Sequence, residues 1–246
     1  MSISKILDIC TVYGAAPKMG YKPAMCSHYQ APALPEIYRA AFGVEPPAAL
    51  GKHDVWPGYP AGFIRRHEHA DVGDEAVPEH EALTGLFGLV PHWVKDTKGS
   101  KYTYNARSET VAEKPSYREA WRRAQHCIIP ATAFFEPDWR SGRAVPTRIE
   151  RADGQPMGIA GLWSSWRAAQ GEIVHSFTML TINADAHPLM RHFHKPDDEK
   201  RMVVILPQAR YSDWLQAGAQ EAPDFMQPYP ADQLVATVPP GHRQLF

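Results

Sequence analysis

The sequence predicts an α+β fold: a single domain built on a mixed, mostly antiparallel, curved or barrel-like sheet with short flanking helices. Short apolar runs of strand character recur at 126–136, 176–182 and 201–206, while stretches with helical spacing are few and brief. Strands and helices come in mixed order, not in the strict alternation that builds a doubly wound sheet. The 23 prolines point the same way, favouring many short elements joined by turns.

The elements follow in chain order. "ALPEIYRAAF" (33–42) sets Leu34, Ile37, Tyr38 and Ala41 on one helical face, with Gly43 as the stop. A Pro/Gly-rich loop, "VWPGYPAGF" (55–63), and a polar, acidic connection over 67–81 come next. "LTGLFGLVPHWV" (83–94) reads as a buried strand turned out of the sheet at Pro91. A second helix is expected over 116–125, capped by Ser116. Its inner face is Tyr117, Ala120, Trp121 and Ala124, which leaves Arg118, Arg122 and Arg123 facing elsewhere, towards solvent or a ligand. "HCIIPATAFFE" (126–136) is a buried strand interrupted at Pro130. Asp153-Gly154, between two strand-like runs in 145–163, signals a hairpin. "SFTMLTI" (176–182) and "RMVVIL" (201–206) are further core strands, and "SDWLQAG" (212–218) is a short capped helix. The Pro-rich tail after 219 is expected to wrap the surface.

Bulk properties narrow the function classes. A chain of 246 residues with 44% hydrophobic and 22% charged residues can bury a real core, which excludes a disordered or fibrous protein. A net charge of -1 supplies no global basic field, so a nucleic-acid site has to be a local patch. Cys10, Cys26 and Cys127 are an odd set with no C-x-x-C pair, which argues against a disulfide framework and a structural zinc site. No apolar run approaches the roughly 18 residues of a membrane span. The first 24 residues lack a signal-peptide cleavage pattern, so a cytoplasmic location is expected. No common nucleotide-binding, zinc-protease or serine-hydrolase motif is present.

The chemistry lies in less familiar clusters. "HPLMRHFHKPDDEKR" (187–201) holds His187, His192 and His194. No second Cys/His cluster offers the remaining ligands of a metal site, so a charged loop with one working histidine is the expectation. In "TYNARSET" (103–110), Asn105 and Arg107 project to one side of an extended chain, an amide next to a phosphate fork, or else a polar edge strand. Glu136 closes an apolar strand in "AFFEP". It is either a carboxyl whose pKa is raised beside aromatic surface, suited to proton transfer, or one emerging into solvent. Trp93 is core or a stacking platform, and Cys127 an inert core residue.

In order, these pieces resemble the SOS response-associated peptidase family, whose members attach covalently to abasic sites in DNA. The resemblance rests on "MCSHY" (25–29), "LFGLVPHW" (86–93), "NARSET" (105–110), "CIIPATAFFE" (127–136), "RADGQPMGIAGLW" (151–163), "LTINADAHPLM" (180–190) and "HFHKPDDEKRMVVIL" (192–206). It implies Cys26 as nucleophile, Asn105 orienting the centre, and Glu136 and His194 as proton carriers. His194 in place of His192 is an alignment choice. DNA contacts are implied for Arg107, Trp93, Lys114, Arg118 and Thr181. The implied partner is single-stranded DNA carrying abasic sites, bound by a monomer without a cofactor. The implied enzyme class is an autoproteolytic hydrolase with crosslinking or lyase-like activity. Ser27 and His28 depart from the Gly-Arg that often follows the family's cysteine, and "KPDDEK" is an insertion after His194.

A Met-Cys pair at Met25 and Cys26, behind 24 residues, bears directly on that chemistry. The amine and thiol of an N-terminal cysteine can trap an aldehyde as a thiazolidine. An amide nitrogen is delocalised and cannot. Residues 1–24 are therefore expected to be a start-site artefact, with 25–246 the working domain and 219–246 poorly matched to the family. The alternative is a propeptide removed by cleavage between Met25 and Cys26. Two rival readings are a cysteine-dependent self-processing peptidase without a DNA role, and a binding domain whose cysteine is incidental.

Overall fold

The computed structural model describes residues 26–239. The expectations for residues 1–24, Cys10 and the Met25–Cys26 junction lie outside that range. In chain order the elements are β1 (His28–Gln30), α1 (Pro35–Phe42), β2 (Asp54–Val55), β3 (Pro60–Arg66), β4 (His80–Phe87) and β5 (Asn105–Arg107). They continue with α2 (Arg118–Arg122), β6 (His126–Ala131), β7 (Ala133–Asp138), β8 (Val145–Arg151), β9 (Met157–Arg167) and β10 (Ile173–Asn183). The last are β11 (Arg201–Val203), β12 (Ile205–Leu206), α3 (Tyr211–Gln216) and β13 (Leu234–Thr237). The architecture is strand-dominated with a few short helices, as the apolar runs predict.

Five strands close on themselves in the order β10–β4–β3–β6–β9 and back to β10. An odd ring cannot alternate direction throughout, and the β10–β4 pair is the parallel one. Phe63 on β3 packs against Phe177 on β10, with ring centroids 5.6 Å apart across the intervening β4. Those rings therefore fill the barrel interior, and both residues are fully buried. At one end β9 and β10 splay apart, and "RMVVIL" fills the gap: β11 pairs β10, β12 pairs β9. Val204 between them donates to Leu180 O and accepts from Ala160 N–H. A second sheet, ordered β13-β8-β7-β1-β2, packs beside the barrel.

Several local expectations are corrected. Asp153-Gly154 makes no hairpin: β8 belongs to the second sheet and β9 to the barrel, so the turn hands the chain from one sheet to the other. Strand β6 runs through Pro130, which lies one residue from its end and opposite Gly158. The second helix is shorter than expected, and no side chain caps it. Its buried residues, Ala120 and Trp121, are those the spacing placed inward. Gly43 does end α1, with φ 67 and its N–H bonded to Arg39 O. Within the tail, β13 joins the second sheet against β8, and Ala222 and Tyr229 are buried.

Candidate active site

Cys26 lies two residues before the start of β1. Antiparallel pairing sets His28 against Phe135 and Tyr29 against Phe134, which runs the chain upstream of His28 past Glu136. The Cys26 backbone N–H donates to the Glu136 carboxyl. On its other side the Cys26 carbonyl accepts from Asn105 Nδ2 at 3.0 Å. Asn105 belongs to β5, which the barrel strand β10 holds in parallel register, and its own carbonyl accepts from Tyr117 Oη at 2.9 Å. The centre thus sits on the seam between the two sheets, with β1 and β7 from one and β5 from the other.

His194 arrives on the connection from β10 to β11. Phe193 bridges to Asp138, and His194 N–H donates to Pro137 O at 2.9 Å. Its φ of 65 is in the left-handed region, sparsely populated by non-glycine residues and held here by those β7 contacts. His194 Nε2 lies 3.6 Å from Glu136 Oε2. It lies 3.2 Å from Arg201 O, which can only accept, so Nε2 carries the proton. Of the two candidate histidines, His194 is therefore the one beside Glu136.

Burial sets the charge state. Cys26, Glu136 and His194 are all buried. Desolvation raises the Glu136 carboxyl well above the usual 4.5, against the pull of the Cys26 N–H. It raises the Cys26 thiol, and the neighbouring Glu136 adds to that. It lowers His194. The Glu136–His194 distance would suit an ion pair, yet dehydration favours both neutral forms, and the histidine proton is directed at Arg201 O. Glu136 Oε2 and Asn105 Oδ1 are buried without a hydrogen-bond partner among the described residues, two polar atoms available to an incoming group.

A charged layer backs the seam. Arg201 is buried and donates to Glu109, Glu199, Thr181 O and Thr181 Oγ1. Glu199, in the inserted segment, also accepts from Arg107 Nη1 at 2.7 Å. Thr181, implied as a DNA contact, is 1% exposed, and its hydroxyl bonds within the sheet to Ala106 O. Lys114, on the approach to α2, and Arg118, its first residue, are exposed. Arg122 and Arg123 both pair with Glu119. Trp93 is 59% exposed and edges a cleft of about 150 Å³ also lined by Glu119, Arg123 and Ser165. His187 is structural, with Nε2 bonded to Tyr229 O at 2.8 Å. Among the described residues no three His, Cys, Asp or Glu side chains form a metal-sized cluster, and no helix is long and apolar enough to cross a membrane. Sequence reasoning missed Glu109, Glu199 and Arg201. The signal available was an arginine as the first residue of an apolar strand, which demands acidic partners once buried.

Comparison with known proteins follows this geometry. Residues 25–239 match the family model described as SOS response associated peptidase (SRAP). The chain is 34% identical over 157 residues to the abasic site processing protein YoaM of Bacillus subtilis, covering 61% of this chain and 64% of YoaM. It is 26% identical over 159 residues to the abasic site processing protein HMCES of Gallus gallus, covering 56% of this chain and 46% of that one. The match thus spans about half to two thirds of these relatives' lengths. A solved Bordetella bronchiseptica protein superposes with a TM-score of 0.79 at 53% identity, over 87% of this chain and 99% of that one. A Bacteroides thetaiotaomicron protein, at 22% identity and TM-score 0.68 over 87% of this chain and 91% of that one, shares the fold.

Proposed function

The chain belongs to the SOS response associated peptidase family, and on that premise we propose that it captures abasic sites in single-stranded DNA through Cys26. The observation that carries this reading is the Cys26 backbone nitrogen set against the Glu136 carboxyl, in a buried centre with Asn105 and His194. Once nothing precedes Cys26, that nitrogen is an amine with a reference pKa near 8. Glu136 takes its proton, and the neutral amine adds to the aldehyde of the ring-opened sugar. Loss of one water gives an imine. The thiol adds across the C=N bond, its proton passes to nitrogen, and a five-membered thiazolidine closes. Asn105 fixes the Cys26 carbonyl, and so the direction of both nucleophiles. His194 delivers the proton that the sugar ring oxygen needs on opening. Arg107, Lys114 and Arg118 supply a local basic patch for the phosphates, and Trp93 an aromatic edge on the DNA path.

The same groups support a second step. Asn105 holds the Cys26 carbonyl while Glu136 faces the Cys26 N–H: the thiol attacks the Met25 carbonyl, Glu136 and His194 carry the proton to the departing Cys26 nitrogen, and water hydrolyses the resulting thioester, which releases the segment ending at Met25 and restores the thiol. The rival reading keeps only that cleavage and has no DNA role. Incubating a Cys26-start chain with abasic single-stranded DNA separates the two. Crosslinking that is lost in Cys26→Ala, with noncovalent binding retained, supports capture. Self-cleavage with no binding to DNA in any form supports the rival.

A further inference from the structure

Beside Cys26 stands a column of planar rings that the crosslinking chemistry does not use. His28 lies between Phe135, at a centroid distance of 4.1 Å and 11°, and Trp56, at 4.2 Å and 5°. Its Nε2 bonds Asp54 Oδ1 at 2.9 Å, which fixes the ring plane from the edge. Cys26 Sγ contacts the His28 carbonyl at 3.6 Å, so the column starts two residues from the nucleophile. Phe135 anchors its inner end on β7 next to Glu136. The outer end is Trp56, 41% exposed, with no other ring stacked on it among the described residues. Three near-parallel rings at stacking separation end in a partly exposed indole.

Trp56 opens a turn whose last residue, Tyr59, carries a cation on its ring. Tyr59 N–H donates to Trp56 O at 2.9 Å, and Lys52 Nζ lies 4.4 Å from the Tyr59 ring centroid. A flat aromatic face with an ammonium one turn away suits a nucleobase and its phosphate. An aromatic face takes any base through its π-system and does not require a particular base edge.

We propose that Trp56, backed by His28 and Phe135, is the platform on which an unpaired nucleobase next to the abasic sugar stacks, so that the empty position falls at Cys26. Trp56 is then a positioning residue for capture, and the inference rests on the crosslinking reading above. The cost of removing one stacking ring converts to a loss of about 5- to 160-fold in affinity for single-stranded DNA.

The experiment uses the Cys26-start chain and oligonucleotides with a non-reactive tetrahydrofuran site flanked, on one side or the other, by 2-aminopurine. The expected result is fluorescence quenching at one flanking position on binding. Trp56→Ala loses the quenching and the affinity, and Trp56→Phe keeps most of both. Unchanged quenching and affinity in Trp56→Ala overturns the platform. So does absence of quenching at both positions in the wild-type chain, a measurement that needs no variant to fold. Parallel incubation with a true abasic site separates the two failures. Wild-type crosslinking without flank quenching removes the platform alone, whereas neither binding nor crosslinking removes the proposed function and the platform with it.

Discussion

Replacing Glu136 with Gln should make the protein more stable and less active, by amounts that can be worked out. The carboxyl is 2% exposed, its Oε2 is unpartnered among the described residues, and burial holds its pKa well above 4.5. Between the unfolded value of 4.5 and the raised folded value, the folded chain keeps a proton that the unfolded chain has released. Stability therefore falls as pH rises through that window, by about 1.4 kcal/mol per pH unit for one proton, and levels off above the folded pKa. Gln carries no charge at any pH and escapes this loss. With about 2–4 °C of Tm per kcal/mol for a chain of this size, the variant's advantage should widen by roughly 3–5 °C per pH unit from about pH 5 upward. Thermal unfolding of both proteins across a pH series reads it directly, and their shared titrating groups cancel in the difference. In a chain starting at Cys26 the α-ammonium compensates the carboxylate, so the gap should narrow. Crosslinking should drop by about 10²- to 10⁴-fold, the usual contribution of a positioned acid–base group. A Tm gap that is the same at both ends of the pH series would refute the buried-acid assignment.

Other perturbations address the second ring of contacts. Asn105→Ala removes the donor to the Cys26 carbonyl; a loss of about 1–3 kcal/mol in the transition state predicts a slower crosslink with little change in equilibrium DNA affinity, checked by quenched-flow and titration. Arg107→Ala should weaken binding at every sequence and lower the salt slope of log K by about one. Glu199 occupies the Arg107 guanidinium at 2.7 Å, so Glu199→Gln should raise DNA affinity by up to about fivefold, the release of a half-exposed ion pair. An unchanged affinity in Glu199→Gln would mean that Glu199 does not compete with phosphate.

The strand-forming runs at 126–136, 176–182 and 201–206 were readable because apolar β-branched and aromatic residues have no other place to go. Closure of the barrel was not, since pairing β10 with β4 depends on residues about ninety positions apart in sequence. Asp153-Gly154 misled for a related reason: a turn dipeptide specifies local backbone, and says nothing about whether the two flanking strands pair. At the site, Cys26, Asn105, Glu136 and His194 were placed together by family resemblance, and the structure brings the four around one buried point. Thr181 was named on resemblance alone, and its 1% exposure and bond to Ala106 O depend on the pairing of β10 with β5, which local sequence does not specify. The His28 stack escaped notice because Trp56 lies in a Pro/Gly loop whose path periodicity cannot trace.

The central claim, that a free amine on Cys26 is the chemical group this fold presents, is tested most directly by intact mass. A chain beginning at Cys26 is mixed with single-stranded DNA carrying one abasic site, beside a chain that retains Met25 and a Cys26→Ala variant. The account predicts that the Cys26-start chain alone gains the mass of the DNA less one water. An equal adduct on the chain that retains Met25, whose Cys26 nitrogen is an amide, would contradict it.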